Sequence, residues 1–352
     1  MNMAYRPLGN TNLNVSLITL GTMTYGEQNT QAEAFEQMDF ALSQGVNTID
    51  VAEMYPVPPR ETTFGASETI VGQLLAARGV RDQIILATKV TGSTAHNAGF
   101  DHIRGGPRLS ATHIKQAVED SLQRLQTDYI DLYQLHWPER STNFFGRLGC
   151  QRIDENDDEA IALEESLVAL ADLVKAGKIR HYGLSNETPW GMMESCRVAA
   201  ALHIPRPVSV QNPYNLLNRT YEIGAAEISM RENMGLLAYS PLAFGMLSGK
   251  YYGGVRPEKS RLALYDRFTR YTKPYAERAA DAYVDLAKQH QLDPSVMALA
   301  FVNQQSFVST NIIGATTMAQ LRTNIASAQV VLSDSVLAGI EAIHQQYCNP
   351  AP

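Results

Sequence analysis

Four side chains carry most of the chemical content of this sequence: Asp50, Tyr55, Lys89 and His136. A free tyrosine, with a pKa of roughly 10, is a poor proton donor at neutral pH. An ammonium beside it, such as that of Lys89, stabilises the phenolate and lowers that value. A carboxylate paired with the lysine, here Asp50, keeps the lysine charged and in place. An imidazole, here His136, orients a carbonyl oxygen or shares the proton. Together the four suit the protonation of an oxygen that is turning into an alkoxide. Hydride delivery to a carbonyl carbon requires that step.

Taken singly, each residue has an ordinary structural reading. A lysine at a strand end reaches for water, and a histidine there is often hydrogen-bonded core. Asp50 can cap the turn that follows it, and Tyr55, next to Pro56, can be loop packing. Their positions argue for more than this. Asp50 and Tyr55 follow one short apolar run, Lys89 closes the next, and His136 closes the one after. Parallel strands bring all four to one rim.

The elements that must do the positioning alternate along the chain. Apolar, β-branched runs at 17–22, 46–51, 84–90, 129–136, 179–184, 207–211, 235–240 and 311–314 read as strands. Most are continuous rather than alternating, as in a parallel sheet covered on both faces. Helical periodicity fills the gaps. Ser110 is an N-cap candidate ahead of a stripe of Ile114, Val118, Ser121, Leu122 and Leu125. The spans 31–44 and 164–176 end at Gly45 and Gly177 in the C′ manner, and 318–328 closes the series. About eight such alternations predict an α/β fold, a (β/α)8 TIM barrel in one domain over residues 1–352. The rival, an open doubly wound sheet, is weakened because no G-x-G-x-x-G follows an early strand. Three long stretches, 56–65, 137–160 and 244–273, follow strands and would form long loops at the C-terminal face, where barrels place their sites.

Composition limits the alternatives. The 352 residues, 45% of them hydrophobic, suffice for one large core. A net charge of −7 without a Lys/Arg run argues against a nucleic-acid partner. Three widely spaced cysteines, Cys150, Cys196 and Cys348, with no C-x-x-C pair, fit a reducing compartment. The N-terminal stretch lacks the layout of a signal peptide, and no apolar run approaches the roughly 20 residues of a membrane helix. The expectation is a cytoplasmic protein without a membrane partner. A metal-dependent hydrolase using Asp50 and His136 is disfavoured, with no His-x-His at a strand end and no clustered carboxylates.

Several motifs in register resemble those of the aldo-keto reductase superfamily. They are Asp50-Val-Ala-Glu-Met-Tyr55, Ala87-Thr-Lys89, Asp131-Leu-Tyr-Gln-Leu-His136, Gly183-Leu-Ser-Asn186, Gln211-Asn-Pro-Tyr214, Tyr239-Ser-Pro-Leu242 and Gly314-Ala-Thr-Thr. The likeness runs from about Tyr5 to the last helix, and is nearest the branch of potassium-channel β-subunits and bacterial Tas-like reductases. It implies an NADPH-dependent reductase acting on a small-molecule carbonyl compound, with Tyr55 as general acid, Lys89 and Asp50 tuning it, and His136 orienting the carbonyl. It implies that Ser185, Asn186 and Gln211 hold the nicotinamide carboxamide, that Tyr214 stacks on the ring, and that Gly21 and Thr22 lie beside the nicotinamide ribose. Tyr239, Ser240, Pro241, Leu242, Gly245, Ser248 and Lys250 would follow the pyrophosphate and ribose. Lys250, Arg261, Thr316 and Gln320 would grip the 2′-phosphate, with Gly314 nearby and Asn324 at the adenine. Val51 and Thr323 depart from the pattern, where relatives carry threonine and glutamate. The same resemblance admits an alternative, a cofactor-binding regulatory subunit of the channel β-subunit type.

Overall fold

The computed structural model describes residues 3–94, 99–147, 149 and 160–352, so Cys150 and most of the second half of the 137–160 stretch lie outside the described residues. A two-stranded antiparallel hairpin, β1 (Tyr5–Pro7) and β2 (Asn14–Ser16), opens the chain. Eight strands follow: β3 (Ile18–Gly21), β4 (Thr48–Asp50), β5 (Ile85–Val90), β6 (Ile130–Leu135), β7 (Ile179–Ser185), β8 (Ser209–Pro213), β9 (Gly235–Tyr239) and β10 (Val308–Ile313). They pair in parallel in sequence order, and β10 pairs with β3, closing the barrel. All eight strands read from the sequence are present.

The helices are α1 (Gln31–Ser43), α2 (Ala66–Arg78), α3 (Ala111–Leu125), α4 (Leu163–Lys175), α5 (Pro189–Ala201), α6 (Tyr221–Glu232), α7 (Arg261–Leu264), α8 (Pro274–Gln289), α9 (Pro294–Asn303), α10 (Met318–Ala326) and α11 (Asp334–Gln346). Their ends follow from local chemistry. Thr30 and Glu33 form a capping box at the start of α1. Ser110 accepts the His113 N–H at the start of α3, and the expected stripe of this helix is buried. Gly177, at φ 74°, lets the chain leave α4.

Three features depart from the sequence reading. The hairpin was not anticipated. It closes one end of the barrel, with Leu8, Leu13 and Val15 packed on Ile85, Ala87, Leu132, Leu237 and Ile312. The span 318–328 is not the last helix, since α11 follows and packs on α8 so closely that a Cβ at Gly339 would lie 2.5 Å from Leu286. Residues 244–273 are not uniform loop: they contain α7 and short 3-10 turns, and the chain continues into the helix pair α8 and α9.

Two outer helices approach closely at Gly72 of α2, where a Cβ would stand 2.3 Å from the Arg124 carbonyl oxygen and 2.6 Å from the Leu125 carbonyl carbon. Backbone cannot swing aside as a side chain does. Gly72→Ala is expected to destabilise the protein by about 1–3 kcal/mol, as overpacking does. A urea titration reads this as a lower midpoint; an unchanged midpoint would show that α2 and α3 are not held that close.

Candidate active site

Register sets the rim of the barrel. Gly21 stands opposite Asp50 and Asp50 opposite Ala87; Lys89 stands opposite Gln134 and Ser185 opposite Gln211. All these strands run the same way, so their C-terminal residues share one mouth. A cavity of about 1280 Å³ opens there.

Asp50, Tyr55, Lys89 and His136 meet at this mouth. The Lys89 ammonium donates to the Asp50 carboxylate and to the Val51 carbonyl oxygen, each at 2.7 Å. It lies 4.9 Å from the centre of the Tyr55 ring. The Tyr55 and His136 rings are 5.8 Å apart and edge to face. Asp50 also accepts from Gln211 at 2.8 Å. Asp50, Tyr55 and His136 line the cavity, whereas Lys89 is wholly buried behind them. Glu53 fixes the turn that carries Tyr55: its buried carboxylate takes two 2.7 Å bonds from Arg104 and one of 2.6 Å from the Thr91 N–H. Burial pushes that carboxyl up, but Arg104 and Thr91 more than offset this and hold it below its ordinary value.

The electrostatics differ in one respect from expectation. The Tyr55 phenol is raised, not lowered, first by burial and then by the Asp50 carboxylate. Depth explains this: a phenolate removed from water loses more than one nearby ammonium, already paired with Asp50, returns. Tyr55 therefore stands protonated at neutral pH, as a proton donor must. Burial pulls the Lys89 ammonium down while Asp50 opposes it. Burial, then Lys89, holds His136 well below the ordinary histidine range, so its imidazole is neutral. The buried His136 Nδ1 has no hydrogen-bond partner among the described residues.

All but one of the cofactor positions proposed from the sequence line the same cavity: Gly21, Thr22, Asp50, Ser185, Asn186, Gln211, Tyr239, Ser240, Pro241, Leu242, Gly245, Ser248, Lys250, Arg261, Gly314, Thr316, Gln320 and Asn324. Tyr214 does not. It is fully buried, stacked on Phe301 at 6.0 Å and bonded through its hydroxyl to Glu222. Of these two strand-end tyrosines it is Tyr239 that stands on the cavity wall, and its hydroxyl donates to Asn186 Oδ1 at 2.6 Å. Asn186 in turn donates to the His136 carbonyl oxygen at 2.8 Å. In this assignment both ends of the Asn186 amide are engaged within the protein.

One end of the cavity suits a phosphorylated ligand. Gly245 adopts φ 95°, and a Cβ there would lie 2.5 Å from Lys250 Cε, so only glycine lets the backbone turn against that lysine. The Arg261 guanidinium lies over the Phe244 and Phe268 rings, 5.7 and 5.2 Å from their centres, and none of the described groups that act on it is a carboxylate. The Gln320 side-chain oxygen accepts from the Thr316 N–H at 2.9 Å, holding these two residues together. Sequence reasoning missed Trp137, Phe145, Gly146, Phe268, Arg270 and Lys273, which also line the cavity; the only signal was the length and basic character of the loops that carry them. Among the described residues no three His, Cys, Asp or Glu side chains cluster as metal ligands, and no single helix is long and apolar enough to cross a membrane.

Residues 17–345 match the Aldo/keto reductase family. The chain is 51% identical over 350 residues to Protein tas of Escherichia coli (strain K12), covering 99% of this chain and all of the relative. It is 32% identical over 347 residues to the uncharacterized oxidoreductase YrpG of Bacillus subtilis, covering 95% and 94%. It is 30% identical over 351 residues to norsolorinic acid reductase B of Dothistroma septosporum, covering 97% and 82%.

Proposed function

Because the chain belongs to the aldo/keto reductase family and is an oxidoreductase, we propose that it reduces aldehydes or ketones with NADPH, Tyr55 acting as general acid. One observation carries this reading. A protonated phenol, a neutral imidazole and a buried Lys89–Asp50 pair converge on one cavity at the barrel mouth.

NADPH, when bound, supplies the hydride that reaches the carbonyl carbon. The protein's own groups do the rest. His136 lines the cavity with its ring edge to face with that of Tyr55, which puts an imidazole beside the phenol. The imidazole, neutral, holds the carbonyl oxygen near Tyr55. As charge develops on that oxygen, the Tyr55 hydroxyl transfers its proton to it. The phenolate so formed lies beside Lys89, which lowers its cost at the moment it exists. Ser185 and Gln211 would hold the nicotinamide carboxamide, Tyr239 rather than Tyr214 would face the ring, and Lys250 and Arg261 would hold the 2′-phosphate.

A fluorescence titration with NADPH and NADH followed by a carbonyl panel tests the reading. Tighter binding of NADPH and its oxidation by aldehydes are expected; failure to bind either nucleotide overturns it. Binding without turnover of any carbonyl would favour a regulatory role. Arg261→Ala is expected to weaken NADPH about ten- to hundredfold, the range of a lost charge-assisted hydrogen bond, and to leave NADH little changed. Equal losses for both nucleotides would place Arg261 elsewhere on the cofactor.

A further inference from the structure

We propose that the barrel mouth carries a subsite for a compact oxyanion, a carboxylate or a phosphate, built from Arg270 and Lys273, and that this subsite selects carbonyl substrates bearing such a group. The inference rests on the reductase reading above and deepens it by naming a substrate class.

Among the described residues, several largely buried cations are paired with a carboxylate: Lys89 with Asp50, Arg104 with Glu53, Arg124 with Glu68 and Arg140 with Glu187. Arg270 is different. It is only 9% exposed and lines the cavity, yet its hydrogen bond is long and to a neutral group, 3.4 Å to the Tyr239 hydroxyl. The groups acting on it are the tyrosines 239 and 271, with no carboxylate among them. A guanidinium has five N–H donors, and arginine is seldom buried without an acid. Lys273 repeats the pattern: its ammonium nitrogen is buried, has no hydrogen-bond partner among the described residues, and its residue lines the same cavity. The Arg270 charge bears on Lys273 as well. Two neighbouring cations that repel each other, with no acid paired to either among the described residues, define a place for an anion.

Position favours the substrate over the cofactor. Arg270 packs under the loop after β6, where a Cβ at Gly146 would lie 2.9 Å from its Nε. It is linked through Tyr239 and Asn186 to the backbone carbonyl oxygen of His136. Trp137 and Phe145, 5.6 Å apart, form the aromatic wall beside it. A substrate with its carbonyl at Tyr55 and His136 and an apolar body along that wall would bring a terminal oxyanion to Arg270 and Lys273.

The test compares three aldehydes with NADPH and purified full-length protein: 4-carboxybenzaldehyde, its neutral methyl ester, and 4-formylphenyl phosphate. One charged aldehyde is expected to exceed the ester in kcat/KM about ten- to hundredfold, as a charge-assisted contact would give, and which one does identifies the oxyanion. Arg270→Met and Lys273→Met should each collapse that ratio, while Arg270→Lys retains most of it. The NADPH Kd is measured in every variant. A wild-type ratio near one, a ratio unchanged in both Met variants, or a common loss of NADPH affinity and of all three reactions would overturn the subsite. If the wild type binds NADPH but reduces none of the three, the reductase reading fails by itself. Calorimetric titration of the NADPH-loaded protein with benzoate and with inorganic phosphate then decides the subsite. Binding lost in Lys273→Met supports it, and no binding of either anion sinks it.

Discussion

Tyr55→Phe is expected to lower kcat for aldehyde reduction about 10²–10⁴-fold, the usual contribution of a positioned general acid, while NADPH affinity stays essentially unchanged. The substitution removes one hydroxyl and leaves the ring, which lies 4.9 Å from the Lys89 ammonium and edge-on to His136. The cavity keeps its shape. Losses in kcat and kcat/KM should therefore be equal, the mark of an interaction made in the transition state alone. Steady-state kinetics with a reactive aldehyde, alongside a fluorescence titration of NADPH, separates the two effects. Wild-type turnover in this variant would remove Tyr55 from the chemistry.

Lys89→Met is expected to cost the fold about 3–5 kcal/mol, because it strands the Asp50 carboxylate in the barrel without its counterion. Lys89 is fully buried and its bond to Asp50 is 2.7 Å long. The remaining partners of Asp50, Gln211 and Gln134, are neutral amides and cannot replace the lost charge. Activity should fall as well, since a phenolate forming on Tyr55 would lose its cation. Stability and activity can be pulled apart. Adding Asp50→Asn to Lys89→Met removes the stranded charge, so the double variant should recover much of the stability and none of the turnover. Urea unfolding reads the first and NADPH oxidation the second. A Lys89→Met protein as stable as wild type would show that the pair is not buried as described.

Much of this site was legible because its chemistry sits where the strand pattern stops. The runs ending near Asp50, Lys89 and His136 are continuous and apolar, so their ends, and hence a common rim, follow from the sequence once the strands are parallel. Other features depend on quantities that periodicity does not carry. The hairpin strands Tyr5–Pro7 and Asn14–Ser16 are three residues each, too short to show alternation. Tyr214 and Tyr239 both stand at strand ends. Which of them faces the cavity depends on how the chain leaves β8, where it turns Tyr214 against Phe301 and Phe307. The direction of the Tyr55 shift depends on depth, and a list of neighbours suggests the opposite sign. Arg270 and Lys273 lie in a long segment without period, where only the folded path shows that neither cation meets an acid among the described residues.

The most direct measurement follows the hydride and the proton acceptor together. Reduced NADP deuterated at both C4 positions is incubated with an aldehyde and wild-type protein, and the product is read by mass spectrometry and proton NMR. Expected is one deuterium on the carbinol carbon and one alcohol formed per cofactor oxidised, at a rate that collapses in Tyr55→Phe although the cofactor still binds. An alcohol without deuterium, or cofactor bound with no alcohol from any aldehyde, would contradict the assignment of this rim to carbonyl reduction.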